Sequence, residues 1–240
     1  MCNTLTNPRF LEACAEYRFK RQGTVPPVWV ATIAVPGLQP IEDAIAELDR
    51  KISGLQSERQ LRTVDMELRV AYRKLLYEKG KAQLEPIVLR GLDDLDFGTT
   101  PSEIVAEIHE IDGRTSKGSI AGIVEVKGSK KQIAQSEFSP LVTKILADAE
   151  VKGKFSKGIL VGNGLCDSEP KERLGDSVFS PHVLAGAKLN SVALINSVEL
   201  YWICCSMLRG DPVAKDAVRE AILTTNGYVD LKPFSGKSPF

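Results

Sequence analysis

The sequence predicts an α/β protein with an α/β/α core, in which helices cover both faces of a mixed central sheet, and with a long helix that precedes this core. From residue 80 onward, strand-like and helix-like segments alternate, which is typical of a sheet covered by helices on both faces. Residues 41–79 are instead charged, helix-forming and free of proline. The hydrophobic fraction of 43% and charged fraction of 26% are ordinary for a globular protein of 240 residues. The chain is therefore expected to form one good core and an appendage.

Three regions are expected along the chain. Residues 1–40 form an irregular segment with one short strand, predicted in "PPVWVATIAVPG" because apolar and β-branched residues lie between prolines. A short helix is expected in "NPRFLEACAEYRFKRQ". Residues 41–79 form a long amphipathic helix, and residues 80–240 form the α/β domain.

The long helix carries a narrow apolar stripe. Its first part follows a four-three spacing and comprises Ile41, Ile45, Leu48, Ile52 and Leu55. The spacing resumes at Leu61 after a phase slip near Gly54 and Arg59. Such a stripe is typical of a coiled-coil seam that pairs with a second copy or with another chain. It is equally consistent with a helix that lies on its own domain, and the sequence leaves both possibilities open.

The elements of residues 80–240 follow from local patterns. "KAQLEPIVLRGLDDLDF" predicts a short amphipathic helix, and "SEIVAEIHEID", the turn "GRTSKG" and "SIAGIVEVKG" predict a hairpin. "KQIAQSEFSPLVTKILADAEVKG" predicts a helix, and the wholly apolar "KGILVGNG" predicts a buried strand. "SPHVLAGAKLN" predicts a helix with Ser180 as N-cap and Pro181 at its first position. "SVALINSVELYWICCSML" predicts a strand and then a helix, and the tail predicts a last helix with a short edge strand.

The charge balance restricts the possible functions. With 31 basic and 31 acidic residues the formal net charge is zero, so any nucleic-acid binding must depend on a local basic patch. The N-terminus has no secretory pattern, and no apolar run reaches membrane-spanning length. We therefore expect a soluble protein of a reducing compartment, with a bacterial-type cytoplasm as the default.

The segment "IVEVKG" contains the strongest candidate for chemistry. Glu125 and Lys127 are two residues apart on a predicted strand, so both side chains point to the same face. Asp112 closes the preceding strand and can lie near Glu125 in a hairpin, and Glu85 on the preceding helix is a third acid. Carboxylates and the Val126 carbonyl are hard oxygen ligands, which suit Mg²⁺ or Mn²⁺. Alternating Glu and Lys residues are also typical of a solvated cross-strand charge ladder.

Asp112, a hairpin turn and then "IVEVKG" resemble the core motif of the PD-(D/E)XK, or restriction-endonuclease-like, nuclease superfamily. The blocks "YEKGKAQLEPIV", "EVKGSKKQIAQSEF", "KGILVGNG", "SPHVLAGAK" and "SVALINSVELYWI" extend the resemblance over roughly residues 70 to 235. They are similar to bacterial members that carry a coiled-coil extension before the nuclease core. The resemblance implies a restriction-endonuclease-like fold that binds Mg²⁺ or Mn²⁺.

The resemblance also implies roles for individual residues. Asp112 matches the metal-binding acid, although Ile111 stands where a proline is often found, and Glu110 is the alternative acid. Glu125 and Lys127 match the (D/E)XK pair, and Glu85 matches the helix acid. A polar helix position that flanks the site is matched by either Gln132 or Gln135.

The predicted function is metal-dependent hydrolysis of DNA phosphodiester bonds, with phage defence or DNA repair as candidate settings. Asp112, Glu125 and Val126 hold the metal ion, and Lys127 assists the attacking water. DNA is preferred over RNA as the partner. Phosphate contacts are expected from the lysines that follow the motif, namely Lys130, Lys131, Lys144 and Lys154. The alternative is a catalytically inactive protein of nuclease fold that acts as a nucleic-acid-binding or protein-assembly module.

Overall fold

The structure, a computed structural model, describes residues 27–105, 109–116 and 122–240. It confirms an α/β fold with a six-stranded mixed sheet and a long helix that precedes it. The helix predicted within "NPRFLEACAEYRFKRQ" lies outside the described residues. In the described part of the chain, no helix combines the length and the apolar character needed to cross a membrane.

The chain divides into two compact units, Met1–Gln60 and Leu61–Phe240. In the first unit, Val28–Thr32 forms a 3₁₀ helix where the sequence predicted a short strand. The prediction was wrong because a strand needs a neighbouring strand for its hydrogen bonds, whereas a 3₁₀ turn satisfies its groups locally. The Val30 N–H donates to the Pro27 carbonyl at 2.9 Å, and the Ile33 N–H donates to the Val30 carbonyl at 3.2 Å.

The long helix α1 spans Leu38–Ala71, and a short helix α2 at Lys74–Tyr77 follows it. The region predicted as one helix over 41–79 is therefore interrupted after Ala71. Ion pairs between residues four positions apart support α1, including Glu47 with Lys51 at 2.7 Å. No residue of α1 is buried.

The remaining elements belong to the second unit. They are α3 (Lys81–Asp94), β1 (Thr99–Val105), β2 (His109–Thr115), β3 (Gly122–Gly128), α4 (Gln135–Lys152), β4 (Lys157–Asn163), α5 (Pro181–Leu189), β5 (Val192–Asn196), α6 (Ser197–Arg209), α7 (Lys215–Thr224) and β6 (Gly227–Tyr228). The strands lie in the order β1-β2-β3-β4-β5-β6. Pairing is antiparallel from β1 to β3 and parallel from β3 to β6.

Two apolar clusters cover the two faces of the sheet, because alternate residues of each strand point to opposite sides. One cluster joins α3, α6 and α7 to strand residues such as Val124 and Val161. The other joins α4 and α5 to strand residues such as Ile123 and Leu160. Strand β3 thus has the helix α3 on one side and the helix α4 on the other.

The hairpin that carries Asp112 differs from the prediction. The segment "SEIVAEIHEID" was predicted as one strand, but it contains the end of β1 and the start of β2, with Val105 paired to His109. The segment 113–115, predicted as a turn, continues β2. The sequence has no glycine, proline or asparagine between Val105 and His109. The usual sign of a turn is therefore missing there.

Candidate active site

The strands β2 and β3 part at the two acids that the sequence singled out. Gly113 pairs with Val124, so the next pair outward would be Asp112 with Glu125, and the strand pairing ends at that point. In its place, the Val126 N–H donates a hydrogen bond of 2.8 Å to Asp112 Oδ2. We call this opening, formed by Asp112, Glu125 and Val126, the strand fork.

Both carboxylates of the strand fork are buried. The exposed fraction is 2% for Asp112 and 1% for Glu125. The N–H and C=O of one strand residue point to the same side of the strand. Because the Val126 N–H is directed at Asp112, the Val126 carbonyl also points toward β2 rather than toward β4. The Asp112 carboxylate thus lies against the main chain of Val126, next to Glu125.

Glu125 is held by two lysines. Lys127 Nζ lies 2.5 Å from Glu125 Oε1, and Lys144 Nζ lies 2.6 Å from Glu125 Oε2. Lys127 follows Glu125 on β3, whereas Lys144 comes from α4 and its side chain is only 12% exposed. A buried carboxylate needs such partners, because an isolated buried charge is costly.

A third lysine holds Asp112. Lys81, in the first turn of α3, has its Nζ 3.2 Å from Asp112 Oδ1 and 3.1 Å from Glu110 Oε1. Burial acts to lower the pKa of Lys81, but the hydrogen bonds to Glu110 and Asp112 outweigh it and raise that pKa to about 12. All four carboxylate oxygens of Asp112 and Glu125 therefore have a donor partner.

Glu85 lies on α3, one turn beyond Lys81, with its Oε2 4.0 Å from Lys81 Nζ. Burial raises the pKa of the Glu85 carboxyl, and the negative charges of Asp112, Glu110 and Glu125 raise it further. Lys81 thus links Glu85 to Asp112, although the two acids come from different elements.

A close backbone approach positions α3 at the fork. A Cβ added at Gly128 would lie 2.2 Å from the Lys79 Cα. Only glycine at the end of β3 allows the segment before α3 to cross there. The Asn163 side chain, at the end of β4, donates to the Glu78 carbonyl at 2.6 Å and ties the same segment to the sheet. This crossing starts α3 at a point from which Lys81 and Glu85 reach the acids.

The two glutamines considered for a flanking position make other contacts. Gln135 Nε2 donates to Ser139 Oγ at 3.2 Å within the first turns of α4, and Gln135 is exposed. Gln132 Nε2 donates to the Ser177 carbonyl at 2.8 Å. In the structure the polar contact from α4 to Glu125 comes from Lys144.

The position of Lys144 had a signal in the sequence. It follows Leu141 by three residues and precedes Asp148 by four, and both of those side chains are buried. Residues at these spacings lie on one face of a helix. A lysine on the buried face of a helix needs an acidic partner, and Glu125 is that partner. The sequence predicted instead that Lys144 contacts phosphate, together with the other lysines that follow the motif.

The other lysines predicted to contact phosphate are on the surface. Lys130 is exposed and its Nζ lies 2.7 Å from Asp167 Oδ2. Lys131 and Lys154 are also exposed. Solvent or a ligand can therefore contact part of the surface of Lys130, Lys131 and Lys154. Lys144 instead contacts Glu125 in the strand fork.

The donor atoms of the fork fit a hard divalent cation. Mg²⁺ is commonly held by one or two carboxylates and keeps several waters, and Mn²⁺ prefers similar oxygen ligands. Asp112, Glu125 and the Val126 carbonyl meet that requirement. Over the described ranges, however, no group of three or more His, Cys, Asp or Glu side chains is arranged to hold a metal ion. A cation would enter the fork by displacing lysine ammonium groups from the carboxylates.

No protein-family model matches this sequence, and a comparison with curated proteins finds no match. Among solved structures, the chain is similar to protein VC1899 from Vibrio cholerae, with a TM-score of 0.35 and 17% sequence identity. The matched region covers 51% of this chain and 31% of that protein. The chain thus spans about a third of the length of the structure that it matches.

Proposed function

We propose that this chain is a metal-dependent nuclease that hydrolyses DNA phosphodiester bonds, with a fold related to the PD-(D/E)XK superfamily. The observation that supports the proposal is the strand fork. There, two buried carboxylates lie at the main chain of Val126, whose N–H donates to Asp112 at 2.8 Å, and Lys127 contacts Glu125 at 2.5 Å. In this proposal Asp112, Glu125 and the Val126 carbonyl hold Mg²⁺ or Mn²⁺.

The charges at the fork explain why a divalent cation would be needed. Four carboxylates, those of Glu85, Glu110, Asp112 and Glu125, meet three ammonium groups, those of Lys81, Lys127 and Lys144. With every group ionised, the cluster has an excess of negative charge and repels a phosphodiester. A bound divalent cation reverses that balance and polarises the phosphate toward attack by water.

Lys127 has a role that the metal cannot take. An ammonium group has no lone pair, so Lys127 is not a metal ligand. Its position beside Glu125 lets it donate hydrogen bonds to the phosphate or orient the attacking water. With a cation held by the carboxylates, Lys127 would remain beside Glu125, where it could orient the attacking water.

Lys144 and Lys81 would exchange part of their pairing with carboxylates for contact with the phosphate of the substrate. When a cation takes the oxygens of Glu125 and Asp112, these two ammonium groups lose part of their pairing. Each is tethered to a helix beside the fork, so each remains available to neutralise a phosphate oxygen. The lysines thus hold the acids in place before the cation binds and offer positive charge to the substrate afterwards.

A second candidate is a non-catalytic module that binds nucleic acid or assembles with other proteins. The observation that favours it is the same pairing of Asp112 and Glu125 with lysines, since such pairs also stabilise acids that serve only the fold. In that case the exposed Lys131 and Lys154 would contact phosphates without any cleavage.

Cleavage assays distinguish the two candidates. Purified protein is incubated with plasmid, linear and single-stranded DNA and with RNA, in Mg²⁺, Mn²⁺ or chelator. The nuclease proposal expects cleavage that chelator abolishes and that Glu125→Ala loses. The matched control is Glu150→Ala, which alters an exposed acid on α4 and should cut normally. Binding of nucleic acid without cleavage in any metal would support the module instead.

Calorimetric titration tests the metal site separately from turnover. Mn²⁺ should bind to the wild type and to Glu150→Ala, and binding should weaken strongly in Glu125→Ala and in Asp112→Asn. Asparagine at 112 can still accept the Val126 N–H, so the fork should keep its main-chain geometry. Equal Mn²⁺ binding by all four proteins would contradict the proposed ligands.

A further inference from the structure

The first part of α1 has an apolar stripe that faces solvent. Its six members lie at spacings of three and four residues and are Leu38, Ile41, Ile45, Leu48, Ile52 and Leu55. Their exposed fractions run from 40% at Leu38 to 66% at Leu55. Helices of this length are stabilised mainly by packing of an amphipathic face, so an uncovered stripe implies that a partner covers it.

We propose that residues 38–58 pair with the same residues of a second copy as a parallel, two-stranded coiled coil. In heptad positions, Leu38, Ile45 and Ile52 take position a, and Ile41, Leu48 and Leu55 take position d. The two central heptads have Ile at a and Leu at d. That choice of side chains favours parallel dimers, because each packs well in the corresponding layer.

The seam has a defined length. The next a position after Leu55 is Arg59, a charged residue, so the apolar layers end there. Three heptads rise about 30 Å along the helix axis. The second apolar run of α1 begins at Leu61, thirteen residues after Leu48, and at about 100° per residue it faces a different side of the helix. The dimer seam is therefore confined to residues 38–58.

The charges that flank the seam favour the parallel orientation. In a parallel pair, Lys51 at position g lies opposite Gln56 at position e of the partner helix, and Ala44 lies opposite Asp49. No like charges meet at these positions. The antiparallel register that aligns all six apolar residues would set Asp49 beside Glu42, and like charges there are destabilising.

The mass of the full-length protein in solution tests the pairing. Light scattering should give twice the chain mass of 26.2 kDa for the wild type. Ile45→Lys with Ile52→Lys should give the mass of a single chain, because two charges enter the seam. The matched control is Ala46→Lys with Ser53→Lys, which adds the same charges at outward b positions and should stay dimeric. A single-chain mass for the wild type, or equal masses for the two double variants, would overturn the proposal.

Cysteine cross-linking tests the orientation. In a parallel pair, equal positions of the seam face each other, so Leu38→Cys and Leu55→Cys, which the antiparallel register would set side by side, should each form a covalent dimer when oxidised alone. In an antiparallel pair, a covalent dimer would form only after the two variants are mixed. The wild type under the same oxidation corrects for the natural cysteines. Cross-linking that requires the mixture would overturn the parallel seam.

Discussion

The Lys144 ammonium lies 2.6 Å from Glu125 Oε2, so a lysine of α4 contacts the carboxylate that β3 presents at the strand fork. Lys127 holds the other oxygen of the same carboxylate at 2.5 Å. The two lysines therefore contact the Glu125 carboxylate oxygens that the proposed function assigns to a metal ion. Under the proposed function, the affinity for metal would therefore depend on residues that are not themselves ligands.

Replacing Lys144 should strengthen metal binding. In Lys144→Met the side chain keeps its length but releases Glu125 Oε2, so a cation no longer has to break that contact. A hydrogen bond between charged groups contributes about 1.5 to 3 kcal/mol, which corresponds to an affinity gain of roughly tenfold to a hundredfold. Calorimetric titration with Mn²⁺ measures the change.

The control for Lys144 is Lys152→Met on the same helix. Lys152 pairs with Asp148 at 3.1 Å rather than with an acid of the fork, so its loss should leave Mn²⁺ affinity unchanged. Unchanged or weaker Mn²⁺ binding by Lys144→Met would show that Lys144 does not compete with the cation.

Replacing Lys127 should affect cleavage without removing metal binding. Lys127→Ala takes away an ammonium group that cannot ligate a cation, so the oxygen ligands remain. Groups that position water or stabilise developing charge typically contribute about a hundredfold or more in rate. Cleavage rates at saturating Mg²⁺ should fall by about that factor, while Lys188→Ala, a change at an exposed lysine of α5 with no role in the proposed site, should cut normally. A Lys127→Ala variant that cuts as fast as the wild type would exclude the assigned role.

The raised pKa of Glu85 predicts a dependence of stability on pH. Burial is its largest cause, followed by the charge of Asp112, so the folded state binds this proton more tightly than the unfolded state does. As pH rises above the ordinary value of 4.5, the unfolded chain loses the proton first and the free energy of unfolding falls. The stabilising contribution is therefore present at low pH and lost as pH rises through the folded-state pKa.

Glu85→Gln removes that titration. In chelator, the variant should be more stable than the wild type at pH 7, and the difference should shrink to nothing below about pH 4.5. Urea unfolding at a series of pH values measures it, with Glu150→Gln as the control on an exposed part of α4. A stability difference that does not vary with pH would mean that the neighbouring acids do not act on Glu85.

Replacing Asp148 should lower the free energy of unfolding for a different physical reason. It is buried and accepts hydrogen bonds from Arg114 at 2.9 and 3.2 Å and from Ser156 at 2.6 Å. Burial alone would raise its pKa, but these partners and Lys152 hold it below the ordinary value. Asp148→Asn removes the carboxylate from a largely buried pair with Arg114, and breaking such a buried pair typically costs about 3 to 5 kcal/mol.

Urea unfolding at neutral pH measures the cost of Asp148→Asn, again with Glu150→Gln as the control. In the wild type, the contribution of Asp148 should be complete well above pH 3.8 and should be lost as pH falls through the lowered folded-state pKa. A loss below about 1 kcal/mol would mean that the contact between Arg114 and Asp148 contributes little to the fold.

Local sequence patterns were sufficient to predict the elements that have a uniform composition or a clear terminal signal. The segment "KGILVGNG" is apolar throughout, and β4 is buried at every position. Ser180 and Pro181 mark the start of a helix, and α5 begins at Pro181. The predictions that were wrong concern segments without a local sequence signal for the structure that they form. The hairpin within "SEIVAEIHEID" has no turn residue, and the 3₁₀ helix at Val28–Thr32 resembles a strand in composition.

The sequence by itself also singled out Asp112, Glu125 and Lys127, because a two-residue period and a hairpin suffice to bring them near one another. Only the tertiary structure decided which other residues join them. Lys81 and Lys144 reach the fork from helices on opposite faces of the sheet, and Gln135 does not contact Glu125. Contacts between separate elements depend on how helices pack against the sheet. That packing is set by the burial of apolar clusters distributed over the whole domain, which no local spacing records.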